Sequence, residues 1–244
     1  MAGITRVSAE QTNRTQKDVR ALGEYHKIIV PVYFVVAAIA LAALSLMVHT
    51  AGPLPIDLAA AHAVQSVQAG WYDIIMRLVG EPGYPPQVYM VVAWIVLVLW
   101  LTGLRWEAVS EVFATVGIGV VGLAIKIFVN RPRPTPDLIH VIQTLDGGKM
   151  SFPAGHVESF VAIIGFLWFL SFTLSKNPLV RTLSLFIFGE MIALIGISRV
   201  YTGEHWLTDT IGGYLLGSLW LILTVWLYQW GKPRFLLPKS AKSK

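Results

Sequence analysis

Residues 155–175 read GHVESFVAIIGFLWFLSFTLS, an apolar run whose only ionisable side chains, His156 and Glu158, are confined to the opening turn. A helix needs about 20 mostly apolar residues to cross the hydrocarbon core of a bilayer, so this run is expected to span a membrane with His156 at its mouth. Five more stretches approach the same length, at 28–49, 86–103, 109–129, 180–198 and 208–230. The fold class expected is therefore all-α, a six-transmembrane-helix bundle. Between the first two spans, residues 50–85 include LPIDLAAAHAVQSVQAGWYDIIMRLVG, whose apolar residues recur at roughly helical spacing. That segment is expected to be helical and to lie at the outer membrane interface. The turn cluster EPGYPP at 81–86 then fixes entry into the second span.

Composition points the same way. Of 244 residues, 55% are apolar and 14% charged, where a soluble domain carries about 25% charged residues. No cysteine is present, which excludes disulfides, thiolate metal sites and thiol nucleophiles. The net charge of +5 is not arranged as a basic stripe with interleaved aromatics, so nucleic acid is not an expected partner. Trp71, Trp106, Trp206 and Trp230 stand near span ends, as in interfacial aromatic belts. Gly212, Gly213 and Gly217 favour close packing of the last span.

Lys and Arg are enriched on the cytoplasmic side of membrane proteins. Thirteen of the nineteen here fall in the two tails or in the short loops around Arg105 and Lys176. Both termini of a multi-pass plasma-membrane protein are therefore expected in the cytoplasm. One membrane domain, 28–230, is expected between a tail at 1–27 and a basic tail at 231–244, with the first span retained rather than cleaved. The other six cations, Arg77, Lys126, Arg131, Arg133, Lys149 and Arg199, gather on or beside the opposite, outer or periplasmic, face.

That face carries the candidate chemistry. Lys126 closes the third span, His156 opens the fourth, Arg199 closes the fifth, and His205 and Asp209 open the sixth. A charge at membrane depth costs about 2.5 kcal/mol or more, so such residues are expected to pair or to bind something charged. Lys126, Arg133 and Arg199 have one expected carboxylate neighbour, Asp209, and the excess suits an anion with at least two charges. Phosphate fits: arginine offers planar forks to its oxygens and lysine a point charge. Pro132 and Pro134 stop the third span from continuing, so Arg133 is expected to turn back over the site. His205 and Asp209 are four residues apart and expected on one helix face. The carboxylate would fix the imidazole tautomer and leave the other ring nitrogen as a nucleophile toward phosphorus. His156 remains for proton transfer, as general acid to the leaving group and then general base to the water that cleaves a phosphohistidine. The three cations supply the electrostatic part, so no metal and no cofactor is expected.

On these residues the sequence resembles the type 2 phosphatidic acid phosphatase superfamily. Lys126, six intervening residues, then Arg133 and Pro134 match its first motif; Pro153, Ala154, Gly155 and His156 match the second with one departure; Ser198, Arg199, His205 and Asp209 match the third at family spacing. The resemblance covers roughly residues 28–230. It implies that His205 is the nucleophile, Asp209 its support and His156 the acid, with Lys126, Arg133 and Arg199 on the phosphate. The departure is Ala154, where the family usually has a serine whose hydroxyl contacts phosphate. Backbone amides near Gly155, at the start of the fourth span, are expected to serve in its place.

Residues outside these motifs carry milder expectations. His26, His49, His62 and His140 are expected to be interfacial, Arg131 and Lys149 to be solvated loop charges, and Glu158 and Glu204 to lie outside the catalytic set. The activity expected is metal-independent hydrolysis of a phosphomonoester or diphosphate lipid at the membrane: polyprenyl diphosphate, phosphatidylglycerol phosphate or phosphatidate. A lipid phosphotransferase with the same intermediate, and a non-catalytic lipid-binding or transport protein, are the alternatives.

Overall fold

A computed structural model describes residues 27–142 and 150–235. The expected N-terminal tail up to His26, residues 236–244 of the C-terminal tail and Lys149 lie outside the described residues. The chain is all-helical where it is described: α1 Lys27–Met47, α2 Pro55–Gln65, α3 Gly70–Gly80 with a 3-10 turn Glu81–Gly83, α4 Gln87–Leu101, α5 Arg105–Val129, α6 Gly155–Leu174, α7 Pro178–Tyr201 and α8 Leu207–Phe235. The chain separates after Ile39 into two units. The first contributes the apolar beginning of α1, and the second carries α2 to α8.

Five helices, α1, α5, α6, α7 and α8, are long and apolar enough to cross a membrane, and a sixth crossing results if α3 and α4 act as one broken span. That is where the structure departs from expectation. The second span was expected over 86–103, entered through the turn cluster at 81–86. Instead α4 has 15 residues, about 22 Å at 1.5 Å per residue, short of the roughly 30 Å hydrocarbon core. It meets α3 and its 3-10 turn at a bend of 63°. Pro82, Pro85 and Pro86 lack the amide hydrogens that a continuous helix would need there.

The segment between the first two spans is helical as expected, but it is two helices and the first is not merely laid on the surface. α2 packs on α7 and α8, and its Asp57 and Ala61 are buried. α3 packs on α7, with Trp71, Ile74 and Leu78 left exposed.

α6 is the helix around which the rest is placed. It contacts α5, α7 and α8, and Ala154, Val157, Phe160, Ile163 and Ile164 join Ile195 of α7 in one core cluster. The contact with α8 is close because α8 has no side chain where α6 passes: a carbon added at Gly213 would stand 2.8 Å from the Ala154 carbonyl oxygen, and one at Gly217 2.7 Å from Val161 Cβ. Small residues at such crossings let helix backbones approach. At the far pole, Lys232 of α8 donates to Glu107 of α5 at 2.5 Å.

Candidate active site

Four span ends converge at the second pole. α5 ends on Asn130, whose left-handed backbone (φ 46°) stops the helix while its amide still bonds the Lys126 carbonyl. Lys126 therefore lies in the last turn, and its Nζ donates to the carbonyl oxygen of Pro153. The chain continues through Arg131–Pro134 without helix. Arg133 turns back as expected: its Nη1 donates to the Glu204 carbonyl at 2.9 Å and lies 3.4 Å from His205 Nε2.

His156 occupies the first turn of α6. Its ring meets the Tyr84 ring edge-on at 4.5 Å, and its Nε2 is buried without a hydrogen-bond partner among the described residues. Gly155 precedes it, and Lys126 Nζ would lie 3.7 Å from a carbon added there. Ala154 is buried in the α6 core cluster, and its amide donates to the Asp209 carbonyl at 3.0 Å.

His205 departs from one expectation. It does not share a helix with Asp209 but lies in the turn between α7 and α8, while Asp209 is in the first turn of α8. His205 Nδ1 is 3.7 Å from Asp209 Oδ2, too long for a direct hydrogen bond. Ser151 stands between them: its Oγ donates to Asp209 Oδ2 at 2.5 Å and is 3.3 Å from His205 Nδ1. The same carboxylate oxygen accepts the Trp206 amide at 2.9 Å and so caps the start of α8. Burial above all, with the Arg133 and Lys126 cations adding to it and the Asp209 carboxylate opposing, pushes the His205 imidazole down to about 3. It is neutral at ordinary pH, with Nδ1 turned to the Ser151–Asp209 pair and Nε2 beside Arg133.

Two further expectations are corrected. Arg131 is no solvated loop charge. It is fully buried and bridges Asp57 and Asp209 at 2.6 Å each, and it also bonds the Thr208 hydroxyl at 2.7 Å. Nor is Asp209 the only carboxylate near the cations. Arg199, at the end of α7, is paired with Glu204 at 2.7 Å with neither side chain exposed, and its guanidinium lies over the Tyr84 ring at 5.1 Å. Glu158 lies against Gly122, one turn before Lys126. Arg199 fits because Gly80 leaves the space: a carbon added there would fall 1.5 Å from Nη2.

The structure thus brings together His156, His205, Asp209, Lys126, Gly155, Arg133 and Arg199, and adds Ser151, Arg131, Asp57, Tyr84 and Glu204. The added residues belong to no spacing rule. Asp57 reaches Thr208 at 2.8 Å across 151 positions, whereas Arg131 and Glu204 lie inside the first and third motifs and Ser151 two residues before Pro153 of the second. Among the described residues, no group of three or more His, Asp or Glu side chains is placed to hold a metal ion. The arrangement can hold an anion on guanidinium and ammonium groups beside a neutral imidazole, with a second imidazole free of hydrogen bonds at Nε2.

An all-helical fold with two histidines and basic side chains gathered at one pole of its spans defines a class of membrane enzyme, and the chain belongs to it: the pattern of the PAP2 superfamily matches residues 107–233. Among individual relatives, phosphatidylglycerophosphatase B of Bacillus subtilis is 24% identical over 182 residues, 74% of this chain and 87% of the relative. Lipid A 4'-phosphatase of Porphyromonas gingivalis is 27% identical over 109 residues, 43% of each chain. The fold is similar to that in the crystal structure of a transmembrane PAP2-type phosphatidylglycerolphosphate phosphatase from Bacillus subtilis, with TM-score 0.69 and 22% identity over 80% of this chain and 96% of the other. It is also similar to Aquifex aeolicus LpxE, with TM-score 0.56 and 19% identity over 70% of this chain and 96% of the other.

Proposed function

We propose that this multi-span membrane protein hydrolyses the phosphate of a lipid through a phosphohistidine on His205. The observation that carries the reading is the environment of that imidazole. Its Nε2 is 3.4 Å from Arg133, and its Nδ1 is turned to Ser151 and Asp209. A proton on Nδ1 donates to the Ser151–Asp209 pair, which leaves the Nε2 lone pair free to attack phosphorus. As the N–P bond forms, the P–O bond to the lipid breaks, and His156 gives its proton to the departing alkoxide. Arg133, Arg199 and Lys126 carry the charge of the transferring phosphoryl group. Water then attacks phosphorus and loses a proton to the now neutral His156. The P–N electron pair returns to His205, and inorganic phosphate leaves.

The substrate class follows from where the site lies. Lys126, His156, Arg199 and His205 are all at span ends, so a lipid can keep its tails in the bilayer while its phosphate enters the pole. Phosphatidylglycerophosphate, for which the Bacillus subtilis relative is named, is the first substrate to assay, with phosphatidate and a polyprenyl diphosphate beside it. The distribution of Lys and Arg supports cytoplasmic termini and a site facing outward.

The test is release of inorganic phosphate from each lipid by purified protein without an added acceptor. Release supports hydrolysis. Consumption of lipid that needs an acceptor alcohol means phosphotransfer instead, and no consumption of any of the three means that the enzymatic reading is wrong.

A further inference from the structure

Glu204 is an anion inside a site that holds anions. Its Oε1 accepts from Arg199 Nη1 at 2.7 Å, from Thr202 Oγ1 at 2.9 Å and from the Tyr84 hydroxyl. Three donors from the end of α7, the turn after it and the loop before α4 thus converge on one oxygen. A guanidinium and hydroxyls gathered in this way are what a phosphoryl oxygen requires. The other carboxylate oxygen, Oε2, is buried without a hydrogen-bond partner among the described residues. The Glu204 backbone is also part of the site, since its carbonyl receives Arg133 Nη1 at 2.9 Å.

The charge balance gives this carboxylate a consequence. Lys126, Arg131, Arg133 and Arg199 surround the two histidines, and Asp57, Glu158, Glu204 and Asp209 stand among them. Asp57, Glu204 and Asp209 are each ion-paired to one of these guanidinium groups before substrate arrives. Arg131 is held between Asp57 and Asp209, away from any new anion. Arg199 is the cation whose carboxylate partner sits in its own donor cradle.

Resting on the phosphatase reading, we propose that Glu204 is a specificity-determining residue: its carboxylate holds the place on Arg199 that a phosphoryl oxygen takes, so the site admits a single phosphate group and disfavours a diphosphate. A monoester phosphate shares or displaces one carboxylate. A diphosphate brings further negative charge up to a guanidinium that Glu204 already holds, and like charges placed together oppose binding.

Calorimetric titration of the detergent-solubilised protein with inorganic phosphate and with pyrophosphate reads this as relative affinity for one and for two phosphoryl groups. In the unaltered protein, pyrophosphate is expected to bind no more than about threefold more tightly than phosphate despite its greater charge; a preference above about tenfold overturns the proposal. Glu204→Gln keeps the shape and an acceptor oxygen but removes the charge. It is expected to bind phosphate more tightly than the unaltered protein and to gain about tenfold or more for pyrophosphate. Glu204→Asp is expected to stay within about threefold of the unaltered protein for both. A damaged site loses affinity, so a gain separates this role from a structural one. Equal or weaker binding in a folded Glu204→Gln variant overturns the proposal, as does an equal gain for the two anions or no binding of either. If that variant does not fold, the comparison in the unaltered protein decides. The phosphatase reading fails separately, by absence of phosphate release from lipid phosphates whatever the titrations return.

Discussion

Arg131 joins Asp209 at 2.6 Å with neither side chain exposed to solvent. The same guanidinium holds Asp57 of α2 at 2.6 Å, so the segment after α5 ties the helix before the bent span to the helix that follows the candidate nucleophile. Arg131→Ala would leave two buried carboxylates without their cation. Breaking a buried pair in this way costs about 3–5 kcal/mol. Thermal unfolding in detergent is expected to show a large loss of stability, and a variant as stable as the unaltered protein would remove Arg131 from the framework of the site.

Ser151→Ala tests the hydroxyl between His205 and Asp209. A hydrogen bond to a charged group contributes about 1.5–3 kcal/mol, which corresponds to roughly ten- to hundredfold in rate. Because Ser151 acts on the imidazole, kcat is expected to fall while KM changes little. A rise in KM with kcat retained would place the hydroxyl on the substrate instead.

Ala154→Ser restores the residue type that the superfamily usually carries. The Ala154 side chain is wholly buried and packs in the apolar cluster with Val157 and Phe160, so a hydroxyl there is expected to gain no productive contact. Steady-state assays should give kcat no higher than that of the unaltered protein, with a stability cost of about 1–3 kcal/mol for the buried hydroxyl. A tenfold rise in kcat would show that the cradle lacks that donor.

The low value of about 3 for His205 has a definite sign. Its value in an unfolded chain is near 6.5, so the unfolded state binds the extra proton first. The stability linked to the neutral imidazole is present above about 6.5 and is lost as pH falls from there toward 3. His205→Asn should therefore make the unfolding temperature less dependent on pH between 7 and 4. The proposed nucleophile is held neutral by the same burial, so an acid limb of kcat/KM above pH 5 is expected to belong to another group.

Much of this site was legible in the sequence because membrane spans and their ends are. Long apolar runs located α5 to α8 within a few residues, and His156, Arg199 and Lys126 stand near the ends where those runs placed them. Three things were not legible. Spacing along a helix tells which face a residue occupies but not what lies opposite, so the partners of Arg131 and Arg199 appeared only in three dimensions. Counting nearby carboxylates in sequence missed Asp57 and Glu204 as counter-charges, since one meets Arg131 from another segment and the other meets Arg199 across a turn. The run at 86–103 read as a complete span because hydropathy does not show where a helix ends or what precedes it, whereas its helix has 15 residues and meets α3 at 63° across the turn cluster at 81–86.

A chelator is expected to leave phosphate release unchanged, since the proposed mechanism routes the charge of the phosphoryl group through Lys126, Arg133 and Arg199. Activity lost to chelation and restored by a divalent ion would assign that part to a metal.

The most direct test of the central claim is the fate of label from a lipid carrying radioactive phosphate, followed after rapid quenching under alkaline conditions. In the unaltered protein the label is expected on His205, in an acid-labile and base-stable bond, and His205→Ala is expected to fold, to carry no label and to release no phosphate. Label on another residue, or phosphate release at the unaltered rate by His205→Ala, would contradict the account.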